Sequence, residues 1–342
     1  MKVLVVGAGL TGAAVARKLS PAFAVTVMDK ARGVGGRTSV HRRSDGGSVV
    51  DMGAQYVTRS EHADSSLYDR LTSAGVLVPV DPAVIVGSPD RAHGDKRHYC
   101  APAGMNSVAK TLLPDSVDLV LGSRVTALEV GADGTLAAVG EDGTNLAGGF
   151  SAAVLTTPVP QIMDLLAARE WSKAVVDAHP LGDVLYSSRY AVAMHFPDTP
   201  AVTAAVASIG ATAAYLKPAA DGALRYVSVE TAKHGASGPA SLLLHSAATY
   251  APESKDVVVP RMLEELRAQF PAFVAAGDPV EHHRVWWRYS QVRRSPFSAG
   301  AVVVGNVVLA GDAFAGSSGF DACMRSAAAA AAGVEAAVRG GK

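Results

Sequence analysis

The chain has 342 residues, with 31 Lys and Arg balanced by 31 Asp and Glu and hydrophobic residues at 49%. Zero net charge excludes a nucleic-acid binder driven by a basic surplus and also an acidic tail, while the apolar fraction supports a sizeable core in two domains, or in one domain with a large insertion. Cys100 and Cys323 offer neither a disulfide framework nor a metal-ligand spacing; no metal is expected, and so few thiols suit a reducing compartment.

Residues 3–6 are an apolar run ending at glycine, the pattern of a buried parallel strand. Residues 13–19 continue as a helix stopped near Pro21, and 25–28 form a second strand closed by Asp29. This is a βαβ-type unit, so the apolar N-terminus is not read as a signal peptide. A helix is expected over 62–74. Strands follow at 117–121, 125–130, 136–139 and 153–156, with Asp133-Gly134 turning one hairpin.

The middle of the chain has longer, partly alternating strands at 185–196, 225–231, 241–250 and 281–289, with a helix over 257–270. They predict an antiparallel sheet with one face solvated or lining a cavity. Residues 307–310 return to a buried strand, followed by Gly311-Asp312 and an Ala-rich helix over 321–338. Arg325, Glu335 and Arg339 mark that helix as no membrane span. No membrane or nucleic-acid partner is expected, and a cytoplasmic location is. Arg42-Arg43 and Arg293-Arg294 read as solvated surface.

The fold class is therefore α/β: a Rossmann-like dinucleotide-binding domain interleaved with a mixed α+β domain built on an antiparallel sheet. The expected borders are 1–60, 100–160 and 300–342 for the first, and 61–99 and 161–299 for the second.

Gly7-Ala8-Gly9-Leu10-Thr11-Gly12 carries the first chemical signal. Gly7 permits a tight turn, Gly9 lets the backbone approach a pyrophosphate, and Gly12 lets the helix pack on the strand. The helix start at Leu10 and Thr11 faces the phosphates. Asp29 stands twenty residues after Gly9, where a carboxylate accepts ribose hydroxyls, with Lys30 beside it. The plain alternative is a structural turn with Asp29 as a cap.

The pattern does not separate NAD from FAD; later segments point to FAD. Gly35-Gly36-Arg37 combines exposed amides with a cation for a diphosphate. Residues 51–56 end a strand with Gln55 and Tyr56. Val125 heads another strand as a further cofactor contact. Asp312, after Gly311, could accept a ribityl hydroxyl, and the helix opening at Phe320-Asp321 would aim its amides at the pyrimidine end of a flavin.

Together these segments resemble the FAD-binding superfamily of amine oxidases, phytoene desaturases and renalases. The string from Asp29-Lys30 through Gly53-Ala54-Gln55-Tyr56-Val57-Thr58 is similar to the renalase version. So are Thr157-Pro158-Val159-Pro160-Gln161, Tyr186-Ser187-Ser188-Arg189-Tyr190-Ala191, Trp287-Arg288-Tyr289-Ser290-Gln291-Val292 and Gly319-Phe320-Asp321-Ala322-Cys323. The loop 313–318 departs from the pattern in being smaller and richer in Gly and Ser.

The renalase resemblance implies a non-covalent FAD oxidase of the 2- and 6-dihydro isomers of NAD(P)H. Hydride would pass to flavin N5, NAD(P)+ would leave, and O2 would reoxidise the flavin to give H2O2. Losing hydride makes the substrate ring aromatic, so no strong general base is needed. Tyr56, Arg189, His245 and Trp287 are the candidates beside substrate. Their bland readings are an ion pair for Arg189, a satisfied core histidine for His245 and a core indole for Trp287. Cys323 reads as an inert buried thiol. The alternatives are an FAD-dependent amine oxidase, disfavoured because the loop before the last helix offers Phe314 and Phe320 but no Tyr or Trp, an NAD-dependent dehydrogenase, and a non-catalytic dinucleotide-binding regulator.

Overall fold

The computed structural model describes residues 1–61, 63–81, 85–87, 97–217 and 222–340. The chain divides into two compact units: Met1–Gly36, Val108–Tyr186 and Gln291–Lys342 form one, and Arg37–Ser107 with Ser187–Ser290 the other. The borders differ from the expected ones. Residues 37–60 and 100–107 join the second unit, because Asp51 is buried against Lys233. Residues 161–186 and 291–299 join the first, because Ile162, Leu166 and Val175 share a core with Leu4 and Val6, and Phe297 packs on Phe314.

In the first unit a six-stranded sheet runs in the order Ala301–Val304, Val307–Ala310, Ala152–Leu155, Lys2–Val6, Ala24–Asp29, Asp118–Leu121. Its pairings are parallel except at the Ala301–Val304 edge. Val3, Leu4 and Val5 have no exposed surface, which explains an unbroken apolar run at the centre of the sheet. Leu4 and Val6 pack with helix Val159–Ala167 and with a three-stranded antiparallel sheet, Ala127–Val130, Leu136–Val139 and Asn145–Phe150. The Asp133-Gly134 turn joins the first two of those strands as expected. Helices Leu10–Leu19 and Phe320–Gly340 pack along one another on the six-stranded sheet. Alanine keeps their approach close: Ala327 and Ala330 are fully buried, and a Cβ on Gly333 would lie 2.6 Å from Val303 Cγ2.

The second unit holds another six-stranded sheet, in the order Glu281–Arg294, Leu185–His195, Ser241–Ser246, Leu224–Val229, Ala213–Tyr215, Ile85–Val86. One face buries Val192, Met194, Val227, Leu242 and Leu244 against helices Pro200–Ser208 and Val258–Gln269. The opposite face packs Ala191, Ala193, Tyr226 and Leu243 with Val50 and Met52. The middle of this face is therefore covered too, which sets aside the solvated alternative of the two expected, solvated or lining a cavity.

Other expectations shift at their ends. The helix expected from 13 begins at Leu10, and the one expected over 62–74 is Ser65–Ser73, with residue 62 outside the described residues. The strand expected over 225–231 stops at Val229, where Glu230–Lys233 turns helical so that Glu230 points inward to Lys233. The Pro158-Val159-Pro160 string opens helix Val159–Ala167, since proline suits the first helical turn where no amide partner is lost. Residues 2–6 form a central strand, and among the described residues no helix is long and apolar enough to cross a membrane.

Candidate cofactor cradle and substrate face

The cradle lies within the first unit. Val6, Leu155 and Leu309 sit in register on adjacent parallel strands, so Gly7, Thr156 and Gly311 follow at their carboxyl ends. Asp29 ends the next strand, opposite Leu121. Ligands of open parallel sheets bind at this edge.

The turn depends on glycine for measurable reasons. Gly7 has φ +111°, and a Cβ on Gly12 would stand 1.8 Å from the Gly7 carbonyl oxygen. At Gly9 the protein itself leaves room, since a Cβ would come no closer than 3.9 Å to another atom. Its bareness serves whatever occupies the space beside it. Helix Leu10–Leu19 starts at Gly9 with no side-chain cap and no acidic residue in its first turn. Its leading amides, Leu10 and Thr11 among them, and its dipole suit an anion.

Gly35-Gly36 packs against this turn. The Gly35 amide donates to the Ala8 carbonyl at 2.9 Å, and a Cβ on Gly36 would sit 3.2 Å from Gly9 Cα. Two motifs separate in sequence thus make one glycine-lined surface. Asp29 accepts the Ala8 amide at 2.7 Å through one oxygen and the Ala31 amide at 2.8 Å through the other. It caps the turn, and each oxygen keeps a lone pair for a hydroxyl. Lys30 beside it is exposed. Thr156, which the sequence reading missed, donates its hydroxyl to the Val6 and Gly7 carbonyls, and the Thr-Thr-Pro-Val-Pro string was its signal.

At the far strand Gly311 has φ +139°, and its amide donates to Ser326 Oγ at 2.7 Å. The buried Asp312 accepts the Ser318 hydroxyl at 2.8 Å, so the short loop 313–318 folds back on the carboxylate. Phe320 and Asp321 are buried at the opening of the last helix, and Val125 lies in the core with Met28 and Leu128. Both cysteines are buried and unbridged.

The remaining candidates belong to the second unit. The Arg37 carbonyl accepts the Ala54 amide at 2.9 Å, its guanidinium donates to the Ser290 carbonyl, and a Cβ on Gly53 would come within 1.9 Å of that Arg37 carbonyl. The amide nitrogen of Gln55 donates to the Asp51 and Gly53 carbonyls, and its oxygen accepts Lys233 Nζ at 2.9 Å.

Tyr56, Arg189, His245 and Trp287 gather on the covered face of the second sheet. Ala191, two residues along from Arg189, stands opposite His245, and His245 stands opposite Tyr226, which faces Tyr215. Tyr56 and Tyr215 share a hydroxyl–hydroxyl bond of 2.5 Å. Ring contacts run from His98 to Tyr56, from Tyr215 to Tyr226 and from Tyr226 to His245. The Trp287 indole donates to the Met52 carbonyl at 2.7 Å. His245 is held neutral, with burial and then the Arg189 charge pushing its pKa down to about 3, against a backbone hydrogen bond with Met52. Its buried Nε2 has no hydrogen-bond partner among the described residues. Apart from Tyr56, the aromatic groups thus come from this sheet, with Tyr215 and Tyr226 beyond the expected set. Phe314 of the loop is buried against Phe297.

Behind this face lies a charge cluster that the sequence reading also missed. Lys233 Nζ is 2.9 Å from Asp51 Oδ2 and 2.7 Å from Glu230 Oε1, and His234 Nε2 is 3.3 Å from Asp51. Asp51 and Glu230 are fully buried. Burial opposes every charge here, but Lys233 and His234 hold the Asp51 carboxyl below its usual range, and Asp51 with Glu230 lifts His234 to about 9. Glu230, Lys233 and His234 stand at i, i+3 and i+4 of one helical turn, which was the legible signal.

Comparisons with known proteins agree with the geometry. Residues 5–71 match the NAD(P)-binding Rossmann-like domain, and residues 84–334 match the flavin containing amine oxidoreductase family. Mouse (Mus musculus) renalase is 32% identical over 214 residues, 57% of this chain and 58% of that protein, so the match spans less than two thirds of renalase. A candidate protoporphyrinogen oxidase from Exiguobacterium sp. 255-15 shares the fold with a TM-score of 0.70 at 14% identity, covering 99% of each chain. A redesigned putrescine oxidase gives 0.65 at 14% identity, over 98% of this chain and 99% of that one. The uncapped helix start, the glycine surface and the carboxylates at the strand ends fit FAD. This chain belongs to the flavin containing amine oxidoreductase family, as an FAD-type oxidoreductase homologous to renalase.

Proposed function

We propose that the protein oxidises the 2- or 6-dihydro isomers of NAD(P)H, releasing NAD(P)+ and passing the electrons to O2 as H2O2. The bound flavin supplies the hydride acceptor at N5. The observation that carries the reading is the face of Tyr56, Tyr215, Tyr226, His245 and Trp287, where His245 is held neutral. Such a face can seat a planar dihydropyridine without extracting a proton, and oxidation that makes the ring aromatic needs none extracted. His245 Nε2, buried and without a partner, suits a carboxamide. Arg189, whose charge reaches His245, suits a phosphate or carboxamide oxygen. The likeness to renalase favours the same substrate class.

The test is anaerobic mixing of the yellow protein with purified 2-, 4- and 6-dihydro-NAD while the oxidised flavin band is followed. Rapid bleaching by the 2- or 6-isomer, with the 4-isomer inert, is expected. Bleaching by amines alone moves the protein to the amine oxidase reading, for which this aromatic face is equally suited.

A further inference from the structure

Three segments of the second unit meet at the end of its sheet away from His245. They are strand Val40–Arg42, the last residue of Leu185–His195 and the first residue of Glu281–Arg294. They bring together His41, His195 and Glu281, each offering one ligand atom, all within 4.8 Å of one another. His41 Nε2 and Glu281 Oε1 are 3.3 Å apart. Two ligand atoms on a tetrahedral ion with bonds of about 2.0–2.1 Å stand about 3.3 Å apart, so this pair already has the required spacing.

His195 supplies the independent observation. It is fully buried, its Nδ1 faces Ser241 Oγ at 2.7 Å, and its Nε2 has no hydrogen-bond partner among the described residues. With Nδ1–H donated to the serine, Nε2 presents a lone pair, and such a hydrogen bond at the far nitrogen orients a metal-binding imidazole. An orphaned buried nitrogen is a standing cost that a metal would remove. The ring of His41 is fixed by stacking on His283 at 4.4 Å and 5°. Glu281 is anchored by the Ser44 amide and hydroxyl.

The other His and carboxylate group, Asp51, Glu230 and His234, already holds a cation, the Lys233 ammonium. Beside His195 the Arg43 guanidinium is answered by Asp45 at 3.0 Å.

We propose that His41, His195 and Glu281 bind a divalent first-row transition ion of the zinc class. The fourth position is left to water from the side where His41 and Glu281 are 19% and 25% exposed. The ion would staple the Val40–Arg42 hairpin to two sheet strands; it is not part of the flavin chemistry.

The experiment uses the full-length flavoprotein, dialysed against chelator and then titrated with zinc chloride, with bound metal counted by mass spectrometry and affinity read by calorimetry. One zinc per chain is expected, with a rise in Tm. His41→Gln and Glu281→Gln should each weaken binding by at least about tenfold and abolish that rise, whereas the exposed His282→Gln should not. Both ligands tested are partly exposed, so the variants should fold, and the fully buried His195 is left intact. Failure of the dialysed protein to take up zinc at micromolar concentration overturns the proposal. So does uptake that survives either ligand substitution unchanged.

Discussion

In the parallel-sheet unit the groups that define the site belong to the main chain: the amides of Ala8 and the helix start, the Gly7 carbonyl, and a surface left bare by Gly9 and Gly36. In the antiparallel-sheet unit they are side chains, Tyr56, Tyr215, Tyr226, His245 and Trp287, carried there by segments far apart in sequence. A backbone site tolerates no added atom, whereas a side-chain site distributes its role over several rings and bonds. The two should therefore fail differently.

The largest effect is expected at Gly12. Gly12→Val places a Cβ where the Gly7 oxygen already lies, so no folded, flavin-bearing protein should be recovered. Yellow, soluble variant at the parent level would break the backbone account. Next is Lys233→Met, which removes the ammonium from between two buried carboxylates and leaves them to His234 and backbone amides. A loss of about 3–5 kcal/mol is expected from urea unfolding, and an unchanged midpoint would show that the cluster contributes little. Asp29→Ala strands two amides and removes the proposed ribose acceptor, so about 1.5–3 kcal/mol of stability should go, and FAD retention with it. Full occupancy in that variant would leave Asp29 a cap and nothing more.

The charge cluster also gives a pH signature. His234 is raised in the folded state to about 9, so its contribution is complete below its ordinary value near 6.5 and is lost as pH rises through 9. Urea midpoints measured across that window should fall for the parent protein and fall less for His234→Gln; parallel curves would rule the imidazolium out. The smallest effect belongs to Tyr215→Phe. It removes one hydroxyl bond from the aromatic face, about 0.5–1.5 kcal/mol, with FAD retention unchanged. Loss of flavin there would erase the contrast between the two regions.

The same contrast decides what could be read in the sequence. Gly7, Gly9, Gly12 and Asp29 were legible because local sterics fix their spacing whatever surrounds them. Val307–Ala310 and the Asp133-Gly134 turn were legible for the same reason. Tyr215 and Tyr226 left no trace, since only cross-strand register brings them beside His245. Glu230, Lys233 and His234 had helical spacing, but the strand pattern just before them carried the reading past Val229. The domain borders moved because Asp51 and helix Val159–Ala167 follow their partners in space, not their neighbours in sequence.

The strand order has a consequence for biosynthesis. Lys2–Val6 lies inside the parallel sheet, yet Val307–Ala310 and the Gly311-Asp312 corner after it emerge from the ribosome some three hundred residues later. At about 5–20 residues per second, the nascent first strands wait from roughly fifteen seconds to a minute for that side of the sheet. Every strand of the antiparallel sheet has begun to emerge by then, its last one starting at Glu281. The cofactor cradle is thus completed after the antiparallel sheet, and the nascent chain must keep the apolar edge of Ala152–Leu155 covered until its partner strand arrives.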